Sequence, residues 1–181
     1  MGNYTNPLVH SGKIKDILTA SFLDDELIRN LVMPQTDDSI SLEANWNRHC
    51  LNTQFHPSAA SASQAILCLE TQIAYARSSS IQFQLIISAY ASQDMVSMTE
   101  ETGQFYKNQY GLTGNRIDMI TAAVHRHLTE DPDYSRSFGI GQIQLSEDKD
   151  SVTSQWRDNY YGKSMVYNIY CLHKPSVKEG R

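Results

Sequence analysis

The segment from Thr113 to Leu145 predicts one helix, a polar turn and one strand, in that order. The apolar residues of the helix fall at positions i, i+3, i+7 and i+11, and they are Ile117, Ile120, Val124 and Leu128. This spacing is typical of a surface helix that packs one apolar stripe on a core. A helix followed closely by a strand favours a fold with both α and β layers.

Both ends of this helix carry recognisable signals. Asn115 is a candidate N-cap and Asp118 follows three residues later, which resembles a capping box with Asp in place of Glu or Gln. Asp118 also places a negative charge where the helix dipole favours it. Pro132 is expected to end the helix. The extended segment that follows contains Gly139 and Gly141, which indicate a bulge or a close backbone approach.

Three other segments have the period-two pattern of strands, at residues 65–75, 81–90 and 163–173. The expected faces are Leu67, Leu69, Thr71, Ile73 and Tyr75 in the first strand, Ile81, Phe83, Leu85 and Ile87 in the second, and Met165, Tyr167, Ile169 and Cys171 in the last. The short polar connection at 76–80 indicates an antiparallel hairpin. We therefore expect an α+β fold: an antiparallel sheet of about four strands with helices packed on one face, in the order α-β-β-α-β-β, with long irregular loops.

The remaining segments complete the expected organisation as one domain over residues 1–181. It comprises an N-terminal arm at 1–12, an irregular insert at 34–63, an α+β core at 64–173 and a tail at 174–181. Residues 13–33 have helical spacing with a break near Leu23–Asp24, where Asp24 and Asp25 can open a second helix. Residues 92–111 have no clean period and are expected to be irregular, and residues 146–162 are expected to form a polar loop.

Charge and cysteine content exclude several classes of protein. The net charge is −5, whereas proteins that wrap nucleic acid need clustered Lys and Arg. No segment approaches the roughly 18 consecutive apolar residues of a membrane helix, and we expect neither a leader nor a membrane partner. The three cysteines, Cys50, Cys68 and Cys171, are far apart and odd in number, which argues against a disulfide framework or a zinc site.

The residue types that usually carry catalysis are present without the spacing that catalysis requires. His125 and His127 are two apart on a helix and point to different faces. His49 and His56 would need further metal ligands from elsewhere in the chain. The acidic run Glu147, Asp148 and Asp150 does not fit an EF-hand loop, and the FGIGQ segment lacks the third glycine of a nucleotide-binding loop. We therefore expect no catalytic, metal or cofactor site.

Three segments in this order are similar to a known family. They are LCLETQIAYARSSSIQFQLIISAYA, GNRIDMITAAVHRHL and the end FGIGQIQL…YYGKSMVYNIYCLH. Their most specific parts are Asn115-Arg116-Ile117-Asp118 and Phe138-Gly139-Ile140-Gly141. Together they resemble neck proteins of tailed bacteriophages and prophages, of the tail-terminator or tail-completion type.

This resemblance implies a structural virion protein of the neck, assembled in the host cytoplasm and without enzymatic activity. Such proteins are α+β, form rings that are usually hexamers, and join the tail tube to the head connector. The implied partners are copies of the chain itself and other neck and tail proteins, while DNA passes through the lumen without specific binding. The alternatives are a head–tail adaptor or stopper of the same neck, a metal-dependent small-molecule hydrolase that uses His49, His56 and the acids at 147–150, and a cytosolic protein-binding adaptor unrelated to phage.

A subunit interface is expected in the segment 92–111. The segment carries five large apolar or aromatic side chains, Met95, Met98, Phe105, Tyr106 and Tyr110. Aromatic residues and Met are enriched in interface cores, and exposed apolar clusters usually have a partner. The alternative is that these side chains fold back on their own sheet.

Overall fold

The computed structural model describes residues 7–34, 39–53, 63–76, 80–130, 142–148, 152–157 and 159–172. Within them lie the helices α1 (Pro7–Asp24), α2 (Glu26–Val32), α3 (Leu42–His49), α4 (Gln93–Val96), α5 (Glu100–Tyr110) and α6 (Arg116–Thr129). The strands are β1 (Cys50–Leu51), β2 (Ala65–Ala76), β3 (Ser80–Ser92), β4 (Gln142–Leu145), β5 (Val152–Arg157) and β6 (Tyr160–Leu172). The α+β class expected from the sequence is confirmed.

One open sheet contains these strands in the order β1-β2-β3-β6-β4, and β5 pairs with β6 beyond the end of β4. Strands β2 and β3 form the expected antiparallel hairpin, and the only parallel pair among the described strands is β1 with β2. The described sheet thus has six strands rather than about four. The sequence missed β1 because it has two residues, and it missed β5 because that strand lacks an apolar alternation.

The first two helices follow the expected break. Helix α1 ends at Asp24, and Asp25 is the N-cap of α2, with its carboxylate accepting from the Ile28 backbone N–H. However, α1 begins at Pro7, inside the segment expected to be an arm, because proline at the first position of a helix has no N–H to leave unpaired. Residues 1–6 lie outside the described part.

The expectation of an irregular insert over 34–63 is wrong for residues 42–51, which form α3 and β1. Ser41 caps α3, since its side chain accepts from the Ala44 backbone N–H. Trp46 is fully buried and its indole Nε1 donates to the Thr19 carbonyl at 3.1 Å. A short helix held by one buried aromatic residue has too few apolar positions to produce a period.

Helix α6 matches the sequence prediction closely. The Asn115 side chain accepts from the Asp118 backbone N–H at 3.0 Å, and the Asp118 side chain accepts from the Asn115 N–H at 3.2 Å, so the capping box is complete. The four residues of the expected stripe, Ile117, Ile120, Val124 and Leu128, are all buried. Asp118 also receives Lys163 Nζ at 2.7 Å, which ties the start of α6 to β6. Pro132, Gly139 and Gly141 lie outside the described residues, as does the 174–181 tail.

The core lies between the helices and one face of the sheet. That face carries Leu67, Leu69, Phe83, Leu85, Ile87, Tyr167 and Ile169, which form one cluster with residues of α1, α2, α3, α5 and α6. The helices therefore pack on one face, as expected.

A β-bulge changes the face of one residue. Ile73 pairs with Phe83, but Tyr75 pairs with Gln82, so Ala74 is an extra residue in β2. Tyr75 therefore lies on the face opposite to Ile73, and the expectation that both share one face is wrong for Tyr75. Alternation alone cannot reveal an extra residue in one of two paired strands.

The opposite face of the sheet is closely packed at one point, where β3 and β6 meet. Gly162 pairs with Tyr90, and a Cβ atom at 162 would lie only 2.3 Å from Tyr90 Cδ1. Glycine is required there because the tyrosine ring occupies the space of a side chain. The ring and the glycine together fix how β3 and β6 align.

Candidate functional site

The segment expected to be an irregular interface loop forms two helices, α4 and α5. Thr99 caps α5, since its hydroxyl accepts from the Thr102 backbone N–H, and Gly111 ends it in the left-handed conformation at φ 69°. The Gly111 N–H donates to the Lys107 carbonyl at 3.0 Å. The expectation of irregular structure over 92–111 is therefore wrong, and the start and stop signals at Thr99 and Gly111 are those of an ordinary helix.

The five predicted interface residues occupy very different positions on these helices. Tyr106 is 8% exposed and belongs to the core. Met95, Met98 and Tyr110 are partly buried and pack against that core. Phe105 is 55% exposed. Of the five residues, only Phe105 is exposed, and the other four pack wholly or partly against the chain's own core.

An aromatic cluster, here called the α5 cluster, consists of Phe105, Tyr106 and Tyr110. The ring centroids of Phe105 and Tyr106 are 5.4 Å apart at an interplanar angle of 78°, and those of Phe105 and Tyr110 are 6.2 Å apart at 74°. Both arrangements are edge-to-face, the geometry that aromatic quadrupoles favour. The exposed ring therefore rests on two neighbours, and a partner that binds it has little rotamer entropy to remove.

A buried arginine joins three other helices near the α5 cluster. Arg116 donates from Nε to the Met95 carbonyl at 2.8 Å and from Nη1 to the Leu31 carbonyl at 3.1 Å. These bonds join α6, α4 and α2. Burial lowers the pKa of Arg116, although the nearby Tyr106 opposes that shift, and burial also raises the pKa of Tyr106. The arginine therefore ties the start of α6 to α4 and α2, and Tyr106 of α5 lies close enough to affect its pKa.

A second polar constellation lies where α1, α2 and α6 meet. His127 Nε2 is 2.8 Å from Ser21 Oγ, and His127 Nδ1 is 2.7 Å from Asp25 Oδ2. A carboxylate only accepts, so Nδ1 carries the proton that it shares with Asp25. Sequence reasoning missed this group because its members are separated by up to 106 residues.

These contacts follow the order nucleophile, base and orienting carboxylate of a serine hydrolase, but their surroundings favour a structural tie. Ser21 lies inside α1, so the adjacent backbone N–H groups are engaged in the helix and cannot stabilise an oxyanion. Asp25 also caps α2 with its other oxygen. The pKa of Asp25 lies below its ordinary value. Burial alone would raise this pKa, but three interactions outweigh burial: the hydrogen bond from His127, the hydrogen bond from the Ile28 N–H and the charge of His127.

Of the residues proposed for a metal-dependent hydrolase, His49 and Asp148 are described and lie far apart across the sheet. His49 Nδ1 lies 2.8 Å from the Ala65 carbonyl, beside β2, whereas Asp148 follows β4 at the other side of the sheet and contacts Ser146. Over the part of the chain that the structure describes, no three His, Cys, Asp or Glu residues form a metal-binding group. His56 and Asp150 are not among the described residues.

The sheet face opposite the helices has a continuous row of side-chain amides. Gln72, Gln84, Asn168 and Gln144 are cross-strand neighbours on β2, β3, β6 and β4. Gln72 and Gln144 are exposed, and the other two are half-buried. An amide row can donate and accept hydrogen bonds without carrying charge, so it offers phosphates no cation to bind.

Comparisons with known proteins add one positive finding. The model of a family described as YomW matches residues 12–169, which is most of the chain. No curated protein matches it. None of the helices in the described segments is long and apolar enough to cross a membrane.

Proposed function

This chain belongs to the YomW family, and we propose that it is a structural virion protein of the phage head–tail neck. In this proposal copies of the chain form a ring, of the tail-terminator or tail-completion type, that joins the tail tube to the head connector. The ring is a hexamer, assembles in the host cytoplasm and surrounds passing DNA without binding it specifically. The chain has no enzymatic role in this proposal.

The observation that carries the proposal is the exposed ring of Phe105 on α5. An aromatic side chain that is 55% exposed yet held by two neighbouring rings is a suitable anchor for a protein partner. The residues around it on α5 are polar, with Gln104, Lys107, Asn108 and Gln109 all exposed. An apolar anchor within a polar rim is the usual arrangement of a protein interface.

Charge supports the same proposal. The net charge of −5 repels the phosphates of DNA, and the amide row of the open sheet face is uncharged. A ring through which DNA must move freely needs surfaces that do not grip phosphate. The resemblance of residues 64–173 to neck proteins gives the proposal its particular class.

Phe105→Ser tests the proposal against a matched variant. Light scattering after size-exclusion chromatography is expected to give a wild-type mass well above 20.5 kDa, with rings in negative stain. Phe105→Ser should melt near the wild-type temperature but lose the rings and leave heads and tails unjoined. Leu42→Ser removes another exposed apolar side chain, on α3. This control variant should keep both the wild-type melting temperature and the rings.

Tyr106→Ser separates the interface from the core. Tyr106 is buried, so this variant should lose stability as a monomer before any effect on assembly is measured. A Phe105→Ser protein that folds normally and still builds infectious particles would exclude the interface at Phe105.

A label at the C-terminus, located in micrographs of virions, would distinguish a terminator from an adaptor or stopper by its height in the neck.

A further inference from the structure

Among the described strands, the outer edge of β2 has a short stretch without a partner, bounded at both ends. On that side β1 pairs only with Leu67 and Cys68, and the bulge at Ala74 follows Ile73. The five residues Leu69–Ile73, here called the β2 window, have no partner strand on their outer side among the described strands. An exposed strand edge is a template for pairing with another chain.

The opposite edge of the same sheet offers a strand of similar length. Strand β5 has six residues, Val152–Arg157, and its described pairing is with β6 alone. Six large apolar side chains are the most exposed in the described structure, and of these one lies in the β2 window and one in β5. Ile73 in the β2 window is 41% exposed, and Val152 at the start of β5 is 45% exposed.

The two edges are complementary in direction. Strand β2 is antiparallel to β3, β3 is antiparallel to β6, and β6 is antiparallel to β5, so β2 and β5 run in opposite directions. A second copy placed beside the first in the same orientation therefore brings its β5 antiparallel to the β2 window. This contact uses two different surfaces, and such heterologous contacts generate closed rings when the rotation between copies divides a full turn.

The two edges are also complementary in side chains. Ile73 pairs with Phe83 and Val152 pairs with Met165, so both exposed residues lie on the helix-bearing face. Two β-branched residues placed opposite each other form a favourable cross-strand pair.

Aligning Ile73 with Val152 fixes the rest of the register. The remaining neighbours are polar on both sides: Gln72 with Thr153, Thr71 with Ser154, and Glu70 with Gln155. This register places no pair of like charges across the contact. The bulge and β1 bound the window at its two ends, and a slip by one residue would place Ile73 and Val152 on opposite faces of the sheet.

We infer that copies of this chain join edge to edge, with the β2 window of one copy pairing antiparallel with β5 of the next and Ile73 opposite Val152. This inference rests on the proposed ring and adds the contact by which the ring closes. The sheet of each subunit then continues into its neighbour around the ring.

Cysteine cross-linking tests the register directly. The double variant Ile73→Cys with Val152→Cys, treated with a mild oxidant, should give a ladder of covalent multimers on a non-reducing gel, ending at a closed ring. A reductant should return the ladder to monomer. The control Ile73→Cys with Thr153→Cys moves one thiol to the other face of the sheet, so its ladder should be at least tenfold weaker. The native Cys50 and Cys68 are buried, and Cys171 is replaced by Ser in every variant so that it cannot contribute to the ladder.

Each outcome decides between the contact and the ring. Rings without a ladder in the double variant would overturn the edge contact and leave the ring function standing. A wild-type protein that is monomeric in solution and in virion extracts would overturn both. A single Ile73→Cys variant that forms a covalent dimer in high yield would show two β2 edges meeting, which contradicts the heterologous contact.

A charged variant provides a second measurement without cysteine chemistry. Ile73→Lys places a charge on an exposed edge, so the monomer should melt near the wild-type temperature while ring assembly is lost. Thr129→Lys, at an exposed position near the end of α6, is the matched control and should assemble normally. Normal rings from Ile73→Lys would argue against pairing at the β2 window.

Discussion

Asp25 is expected to contribute to stability in two ways, because each of its carboxylate oxygens has a separate role. One oxygen caps α2 through the Ile28 N–H at 3.0 Å, and the other is 2.7 Å from His127 Nδ1. Loss of an N-cap costs about 1 kcal/mol. Leaving a partly buried imidazole N–H without its acceptor costs about 1–3 kcal/mol. Asp25→Ala should therefore lower the free energy of unfolding by about 2–4 kcal/mol.

Two further substitutions divide this effect. Asp25→Ser retains a capping oxygen but does not reach His127, so it should be about 1 kcal/mol more stable than Asp25→Ala. Asp25→Asn retains both the cap and an acceptor for the imidazole N–H, and should be the most stable of the three. For a chain of this size, 1 kcal/mol corresponds to a change of about 2–4 °C in melting temperature. Equal melting temperatures for all three variants would refute the double role.

The same residue gives a prediction in acid. The pKa of Asp25 in the folded protein lies below its ordinary value of 3.8, so the unfolded chain takes up the proton first as the pH falls. The contribution of Asp25 is therefore complete well above pH 3.8 and is lost as the pH falls through the folded value. The difference in melting temperature between the wild type and Asp25→Ala should shrink over that range. A difference that grows in acid would contradict this assignment.

Three other substitutions or reagents test separate parts of the fold. Asn115→Ala should cost about 1 kcal/mol in thermal melting by removing the α6 cap, and an unchanged midpoint would mean that the cap is not formed in solution. Phe83→Ala, at a fully buried position, should cost about 3–5 kcal/mol in urea unfolding. Ser88→Ala, on the other face of the sheet, should cost only about 1 kcal/mol, because it removes the hydrogen bond between the Ser88 and Ser164 hydroxyls, which are 2.7 Å apart. Equal losses of stability in Phe83→Ala and Ser88→Ala would refute the strand register. Burial raises the pKa of Cys50 to about 12, so mass spectrometry should find this thiol unmodified by iodoacetamide at pH 8 until the protein is unfolded, and rapid modification of the native protein would contradict its burial.

The sequence predicted the elements whose signals are local and complete. Helix α6 has a capping box, an apolar stripe and no competing pattern, and the β2–β3 hairpin has a long alternation with a short polar connection. These features do not depend on the rest of the chain. Helices α3 and α5 were missed because each buries only one large aromatic residue, Trp46 or Tyr106, and the first half of α5, before Phe105, is polar. Tertiary packing holds such helices, and a period search cannot detect it.

The candidate site was only partly predictable for the same reason. Composition identified the aromatic residues of 92–111 but not which of them face outward. Recognising Thr99 and Gly111 as helix ends would have placed Phe105 and Tyr106 about 100° apart around one helix, so that both could not face the core. The Ser21–His127–Asp25 group needed the fold, although the spacing of Ser21 and Asp25 by four residues already placed them near each other.

The position of β6 in the chain affects how the protein is made on the ribosome. Strand β6 pairs with β3, β4 and β5, yet it ends at Leu172, about 80 residues after β3 ends at Ser92. At translation rates of 5–20 residues per second, the nascent β2–β3 hairpin waits roughly 4–16 s for the strand that completes its inner edge. During that interval the apolar face around Phe83 is only partly covered, and chaperones compete with aggregation for it. The yield of active protein is therefore expected to depend on elongation speed between codons 93 and 172. Slow codons there lengthen the time during which the exposed apolar face can aggregate.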